Sequence, residues 1–246
     1  MAWPTSAFPT TIDTISDKTD TVSEIVAADL NGAYDCLEKI EAKIGIDASA
    51  VATSLDYLLK NAASLNPAHR HTAYEAIFIP AAAMYSTSTN GAVVNQYEYP
   101  TNDINKVYFA FNSVVEQFIE FDMLMPEGWD RSTIKAKFFW SSATGSTAGD
   151  TVEWEILAGA LSNDEAIDAA LGTAQVISDA LLANNGTDLQ VSGATPAITV
   201  GGTPALGDLV HFKISRNVAG TDDMTEDAWL FGVAIQLLSD QSVAAW

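Results

Sequence analysis

The sequence predicts a mainly β protein: an antiparallel β-sandwich of the jelly-roll type, preceded by an N-terminal helical, coiled-coil stalk. The period of the apolar residues is the first reason, because it is helical up to residue 65 and alternating from residue 75 onwards. The second is a series of about nine short strand candidates over residues 75–246, separated by turn sequences such as Asn90-Gly91.

The composition is that of a globular chain with a strongly acidic surface. Apolar residues make up 48% of the 246 residues, which is enough for a sizeable core. The 32 acidic and 11 basic residues give a formal net charge of -21, which argues against nucleic acid and anionic membranes as partners. No apolar run approaches the ~20 residues of a membrane span, so no membrane insertion is expected. Cys36 is the single cysteine, which excludes a disulfide within the chain.

Residues 1–20 form an extended segment rich in Pro, Ser and Thr that also contains Trp3 and Phe8. Two interpretations stay open. Terminal segments of this composition are often disordered. Disordered segments, however, contain few aromatic residues, so the alternative is that Trp3 and Phe8 dock into a partner and anchor the chain.

The apolar residues between Thr21 and Gly45 follow a heptad repeat. Thr21 begins a capping-box pattern, and Gly45 is a natural helix stop. The apolar positions are four and three residues apart in alternation, as in a coiled-coil seam: Val26, Leu30, Ala33, Leu37, Ile40 and Ile44. Leucine at a positions with a β-branched residue at d favours three or four helices, so a homotrimer is expected. The alternative is an amphipathic helix that packs on its own domain.

A second helix is predicted from Asp47 or Ser49 to about Ala63, where the same spacing continues. The Asn66-Pro67 dipeptide then ends helix formation. Residues 21–65 are therefore predicted to form a helical trimerisation stalk, with residues 66–74 as the junction to the sandwich.

From residue 75 onwards the apolar residues alternate as in strands with one buried face. Residues 152–156 and 209–216 show this most clearly. The last candidate is apolar on both faces, although an antiparallel sandwich strand needs only one apolar face. Its second face is expected to be covered by a neighbouring copy or by a loop. The strand candidates are residues 75–83, 107–111, 115–123, 134–140, 152–157, 175–182, 197–200, 209–216 and 228–238.

No catalytic motif is recognisable, and the chain is not expected to be an enzyme. It contains no nucleophile elbow, zinc-protease motif, Walker loop or dinucleotide-binding glycine motif. The acidic residues at 222–227 do not have the spacing of an EF-hand loop, and are expected to form a solvent-exposed turn. Trp129 lies in a predicted turn and is the aromatic residue expected to face a receptor.

His69 and His71 are two of the three histidines and lie two positions apart in the junction. In an extended segment such residues point to the same side. Two imidazoles are too few for a stable metal site, but a parallel trimer gathers six, a set that suits an octahedral ion such as Fe²⁺ or Ni²⁺. One transition-metal ion per trimer is therefore expected. The alternative is that both histidines are ordinary surface residues.

The stretch LLKNAASLNPAHRHTAY, residues 58–74, resembles the junction of phage tail fibres and spikes. In those proteins a helical segment ends in a Pro-(Gly/Ala)-His-x-His-(Ser/Thr) element, and a trimer gathers six histidines around an iron ion. The FPT sequence at residues 8–10 and the helix end IEAKIG at residues 40–45 are also similar to those of phage virion proteins. Ala68 stands where glycine is more usual.

The resemblance implies a structural protein on the surface of a phage virion. The expected molecule is a homotrimeric fibre or spike, attached to other virion proteins through its N-terminus. Its jelly-roll head would adhere to a host-surface glycan or protein. Two alternatives stay open: a capsid- or tail-decoration protein without receptor binding, and a bacterial carbohydrate-binding or hydrolytic module.

Overall fold

The computed structural model describes residues 27–45, 54, 72–183 and 188–240. The chain divides into two compact units, Met1–His71 and Thr72–Trp246. The first contains helix α1 (Ala27–Ile44) and the second contains a β-sandwich. Apart from Ser54, which is buried and lies in a bend, the predicted second helix lies outside the described residues.

Helix α1 ends where the sequence predicts. Gly45 has a positive φ of 85°, and its N–H donates to the carbonyl oxygen of Glu41 at 2.8 Å. A residue without a side chain adopts this left-handed conformation at little cost, so glycine is the favoured stop. Lys43 lies in the last turn, where a cation interacts favourably with the helix dipole.

The described part of the second unit contains eleven strands in two antiparallel sheets. The strands are β1 (Thr72–Pro80), β2 (Tyr85–Ser86), β3 (Val93–Tyr99), β4 (Ile104–Phe111), β5 (Phe118–Leu124), β6 (Lys135–Ser142), β7 (Thr151–Leu161), β8 (Gln175–Ala180), β9 (Gln190–Val191), β10 (Leu209–Arg216) and β11 (Ala228–Asp240). One sheet has the order β3-β4-β11-β6-β9, with β1 also paired to β11. The other has the order β2-β5-β10-β7-β8. This arrangement confirms the predicted mainly β, jelly-roll-like sandwich.

The core lies between the two sheets and is built from the inward-facing residues of each strand. Trp154 on β7 is fully buried. Its ring stacks on Phe138 with centroids 5.4 Å apart and meets Phe111 edge to face at 5.3 Å. The alternation predicted for β7 and β10 is confirmed, because the apolar residues at 152, 154, 156, 210, 212 and 214 are all fully buried.

Strand β3 was not expected from the sequence, and residues 197–200 do not form the expected strand. As an edge strand, β3 pairs only with β4, and its side chains are mostly exposed on both faces. Apolar alternation is therefore not required in it. Within residues 197–200, Ile198 is buried but makes only an isolated bridge to Ile134. Burial alone accounts for the apolar pattern there.

A β-bulge in β11 shifts the alternation of the last strand by one residue. Leu230 pairs with Trp140 and Gly232 pairs with Phe139, which leaves Phe231 as the extra residue. The buried positions of β11 are even-numbered before the bulge and odd-numbered after it. The bulge thus contributes to the two-faced apolar appearance of the sequence.

Candidate functional site

Several predicted functional residues lie outside the part of the chain that the structure describes. They are the anchoring residues Trp3 and Phe8, the seam residue Val26, and the pair His69 and His71. What the sequence predicts for them stays a prediction. Within the described ranges, no group of three or more His, Cys, Asp and Glu side chains is placed to hold a metal ion. Nor does any helix in those ranges have the length and hydropathy of a membrane span.

The heptad seam of α1 is exposed at each position whose side chain is described. Leu37 is 48% and Ile40 is 53% exposed, and Ala33 and Ile44 are exposed as well. The side chain of Leu30 lies outside the described atoms. A helix of 18 residues is marginal in water by itself, and packing of its apolar face usually stabilises it. The seam is therefore a surface suited to packing against other helices.

Trp129, expected to face a receptor, is buried, with only 2% of its surface exposed. It lies in the loop after β5, where its N–H donates to the carbonyl oxygen of Pro126 at 2.9 Å and its backbone forms a bridge to Ser239. The prediction is wrong because turn residues locate only the backbone. A large aromatic side chain folds back into the core, where its burial gains the most free energy.

The outer surface of the sheet that contains β11 is aromatic. Antiparallel partners lie on the same side of a sheet, so the strand registers place the outward residues of β1, β3, β4, β6 and β11 on one surface. We call its aromatic side chains the outer aromatic face: Tyr74, Phe78, Tyr97, Tyr99, Tyr108, Phe139, Trp229 and Phe231.

Ring contacts join the strands across this face. Trp229 packs against Tyr108 with centroids 4.6 Å apart and against Tyr97 at 5.9 Å, and Tyr108 also meets Phe231 at 6.0 Å. Burial raises the pKa of Tyr99 and of Tyr108 above the ordinary value of 10.0, so both hydroxyls stay neutral at neutral pH. These two tyrosines therefore add no charge to the face.

Phe78 and Phe139 close over Gly232, next to the bulge. Their rings meet edge to face with centroids 5.0 Å apart. A Cβ atom at Gly232 would lie 2.5 Å from Cζ of Phe78 and 2.6 Å from the carbonyl oxygen of Ile79. Glycine at this position therefore allows the two rings to pack directly on the strand.

A depression of about 560 Å³ opens within the outer aromatic face. Phe78, Tyr99, Phe139 and Phe231 contribute to its walls, and the half-exposed Ile104 lies at its edge on β4. Contiguous exposed apolar surface of this kind marks interaction sites in soluble proteins. Sequence periodicity indicated that β11 has a second apolar face, but only the strand order shows which other residues join it.

Three lysines lie in the middle of this outer surface. Lys106 lies opposite Tyr97, Lys135 opposite Gln236, and Lys137 opposite Ala234. All three lysines are exposed. Acidic residues lie towards its two ends, where Asp240 pairs with Thr72 and the charge of Asp227 acts on Tyr108. In a chain with 32 acidic and 11 basic residues, the basic stretch between these ends is a local reversal of the overall charge.

The outer surface of the other sheet carries a polar cluster beside the exposed Leu124 and Leu209. His211, the third histidine, lies there, with Nδ1 at 2.9 Å from Oδ1 of Asp122 and Nε2 at 3.7 Å from Oε1 of Glu120. The hydroxyl of Tyr85 donates to Oδ2 of Asp122 at 3.1 Å. Burial and this hydrogen bond raise the pKa of Tyr85 to about 12.

The sequence predicts that Asp222 lies in a solvent-exposed turn, but the structure shows its side chain buried. Its side chain is 2% exposed and accepts hydrogen bonds from Nε and a terminal nitrogen of Arg216, each at 2.7 Å. Arg216 is fully buried and also donates to the carbonyl oxygens of Phe111, Met224 and Glu226. These contacts use all five N–H groups of the guanidinium.

Glu153 faces outward on β7, as expected, but the same loop covers it. Its carboxylate accepts hydrogen bonds from Asn217 at 2.6 Å, from the hydroxyl of Thr221 at 2.8 Å and from Ser178 at 3.3 Å. Burial raises the pKa of Glu153, but these hydrogen bonds and one from the Thr221 N–H outweigh burial and hold the pKa below its usual value. This end of the sandwich is therefore a polar cross-link and not an open site.

No protein-family model matches the sequence, and neither does the sequence of any curated protein. Solved structures with a similar fold include the CBM22-1–GH10 modules of xylanase 10B from Clostridium thermocellum, complexed with xylohexaose (11% identity, TM-score 0.40, 69% of this chain and 29% of that chain). A second is a family 35 carbohydrate-binding module from Clostridium thermocellum (10% identity, TM-score 0.37, 65% of this chain and 97% of that chain). A third is a family 11 carbohydrate-binding module from Clostridium thermocellum in complex with a β-1,3-1,4-mixed-linked tetrasaccharide (10% identity, TM-score 0.35, 65% of this chain and 94% of that chain). At these identities and TM-scores the likeness assigns neither a family nor a function to this chain.

Proposed function

We propose that the protein is a structural component of a phage virion: a homotrimeric fibre or spike with an adhesive β-sandwich head. The exposed heptad seam of α1 carries this proposal. The similarity of residues 58–74 to fibre junctions supports it as well. The N-terminal segment, with Trp3 and Phe8, attaches the trimer to other virion proteins, and the head contacts a host-surface glycan or protein.

Trimerisation would bury the exposed apolar side chains of the heptad seam. Leu37 and Ile44 occupy a positions and Ala33 and Ile40 occupy d positions, and all four side chains are exposed in the single chain. Packing them as knobs into holes of two other helices removes this apolar surface from water. The stability of a helix of this length then depends on association, as in obligate oligomers.

The test of the trimer is its mass in solution. Sedimentation equilibrium of the full chain at micromolar concentration is expected to give three times the 26.2 kDa of one chain. Association should weaken on dilution, because the trimer is held by mass action. A concentration-independent mass of one chain would exclude the proposal.

The histidine pair provides a second test. In a trimer, His69 and His71 supply two imidazoles from each of three chains, and this donor set suits one octahedral Fe²⁺ or Ni²⁺ ion. Elemental analysis of the purified trimer is expected to find about one such ion per three chains. The double variant His69→Ala/His71→Ala is expected to lose the ion and to melt at a lower temperature, because a ligand bound only by the native state stabilises it. A metal-free trimer with an unchanged melting temperature in the variant would refute the site.

A further inference from the structure

The outer aromatic face is an exposed apolar surface with a depression, and its charge indicates which chemistry would complement it. Its strands present Lys106, Lys135 and Lys137 among apolar side chains, whereas the chain as a whole has a net charge of -21. Two such faces brought together would place lysines against lysines. A complementary partner is therefore acidic with an apolar centre, because complementary potentials favour association and like charges oppose it.

A loop of the same head has this character. Residues 163–170 are all exposed, and Ile167 is 89% exposed, more than any other large apolar side chain in the described part of the chain. Asp164, Glu165 and Asp168 flank it. The loop thus presents the apolar side chain of Ile167 next to the carboxylates of these three residues. The depression in the outer aromatic face is an apolar hollow with Lys106 in its wall.

We infer that the outer aromatic face of one chain receives the loop 163–168 of a second copy, with Ile167 entering the depression and the acidic residues facing the lysines. This inference rests on the proposed trimer and adds the head-to-head contact to it. The contact joins two different surfaces, so it is heterologous, and a heterologous contact repeated around a threefold axis closes a ring.

Hydroxyl-radical footprinting of the full-length protein tests where the face is buried. Trp229 and Tyr97 in the wild-type trimer are expected to be oxidised at least threefold more slowly than in the seam variant Leu37→Asp at concentrations where that variant is monomeric. A trimer in which both residues are oxidised at the monomer rate would overturn the inference and leave the proposed trimer intact. A monomeric wild type would instead remove the trimer on which the inference rests.

Two neighbouring valines on β3 provide a matched pair of variants. Val93 is 57% exposed and points to the outer aromatic face, whereas Val94 is 56% exposed and points to the opposite side. Val93→Glu places a carboxylate where the neighbouring copy is acidic, and is expected to raise the dissociation constant of the trimer at least tenfold. Val94→Glu adds the same charge on the same strand and is expected to change it less than threefold. Equal effects of the two variants would contradict docking on this face.

A charge exchange tests the pairing of face and loop. Lys106→Glu and Asp168→Lys are each expected to weaken the trimer severalfold, since each places like charges together. In the double variant the charges are complementary again, and most of the affinity is expected to return. Additive weakening in the double variant would show that the loop at Asp168 is not the occupant of this face.

Discussion

Replacing Arg216 with alanine is expected to lower the free energy of unfolding of the head by about 3–5 kcal/mol, the range for breaking a buried ion pair by removing one partner. The substitution leaves Asp222 as a buried carboxylate without its cation. It also removes the donors to the carbonyl oxygens of Phe111, Met224 and Glu226. Urea unfolding followed by tryptophan fluorescence measures the loss.

Lys213 is the matched control for Arg216, because it is a cation on the same strand whose side chain lies on the outer surface. Its ammonium lies 4.2 Å from the centroid of the Phe118 ring. A partly exposed cation–π contact contributes about 0.5–1 kcal/mol, so Lys213→Ala is expected to cost no more than that. If Arg216→Ala cost no more than Lys213→Ala, the guanidinium would not be the cross-link that its contacts indicate.

Replacing Leu37 with aspartate is expected to convert the proposed trimer into monomers at micromolar concentration. In a parallel coiled coil the three copies of an a position meet near the axis, so the variant places three carboxylates together. Each chain also loses the burial of a leucine, about 1.5–3 kcal/mol. Every 1.4 kcal/mol changes an equilibrium constant tenfold. Over three chains, the association constant of the trimer is therefore expected to fall by several orders of magnitude.

Ala42→Asp is the control for the seam variant. Ala42 lies two residues after Ile40, outside the a and d positions, and is exposed in α1. The variant adds the same charge to the same helix, so it reports the effects of charge and helix propensity alone. Sedimentation velocity over a range of concentrations is expected to show a trimer for Ala42→Asp and a monomer for Leu37→Asp. Equal masses for the two variants would mean that association does not use this seam.

The sequence predicted the features that local chemistry decides. Gly45 ends α1 because the stop requires a left-handed residue, and this requirement is visible in the chain itself. The alternation in β7 and β10 is also local, since successive side chains of a strand point to opposite faces. Both strands are central in their sheet, so one face is buried along the length of each.

The errors arose where a distant partner determines the environment. The sequence places Trp129 in a turn, but its side chain packs within the hydrophobic core of the sandwich. Asp222 was placed in a solvated turn, but Arg216 makes it half of a buried ion pair. Charge and turn propensity are properties of a residue and its neighbours in the chain. The burial of a carboxylate depends on a cation that reaches it from another strand.

By itself, the sequence determined the class of fold, the end of α1, the spacing of the apolar residues in α1 and the apolar character of both faces of the last strand. These follow from spacing, because a helix repeats every 3.6 residues and a strand every two. Only the tertiary structure decided which strands lie beside β11, and therefore that aromatic residues from five strands share one surface with the lysines of β4 and β6. The physical reason is that strand pairing joins residues distant in the chain, and their combined surface has no counterpart in any local stretch of sequence.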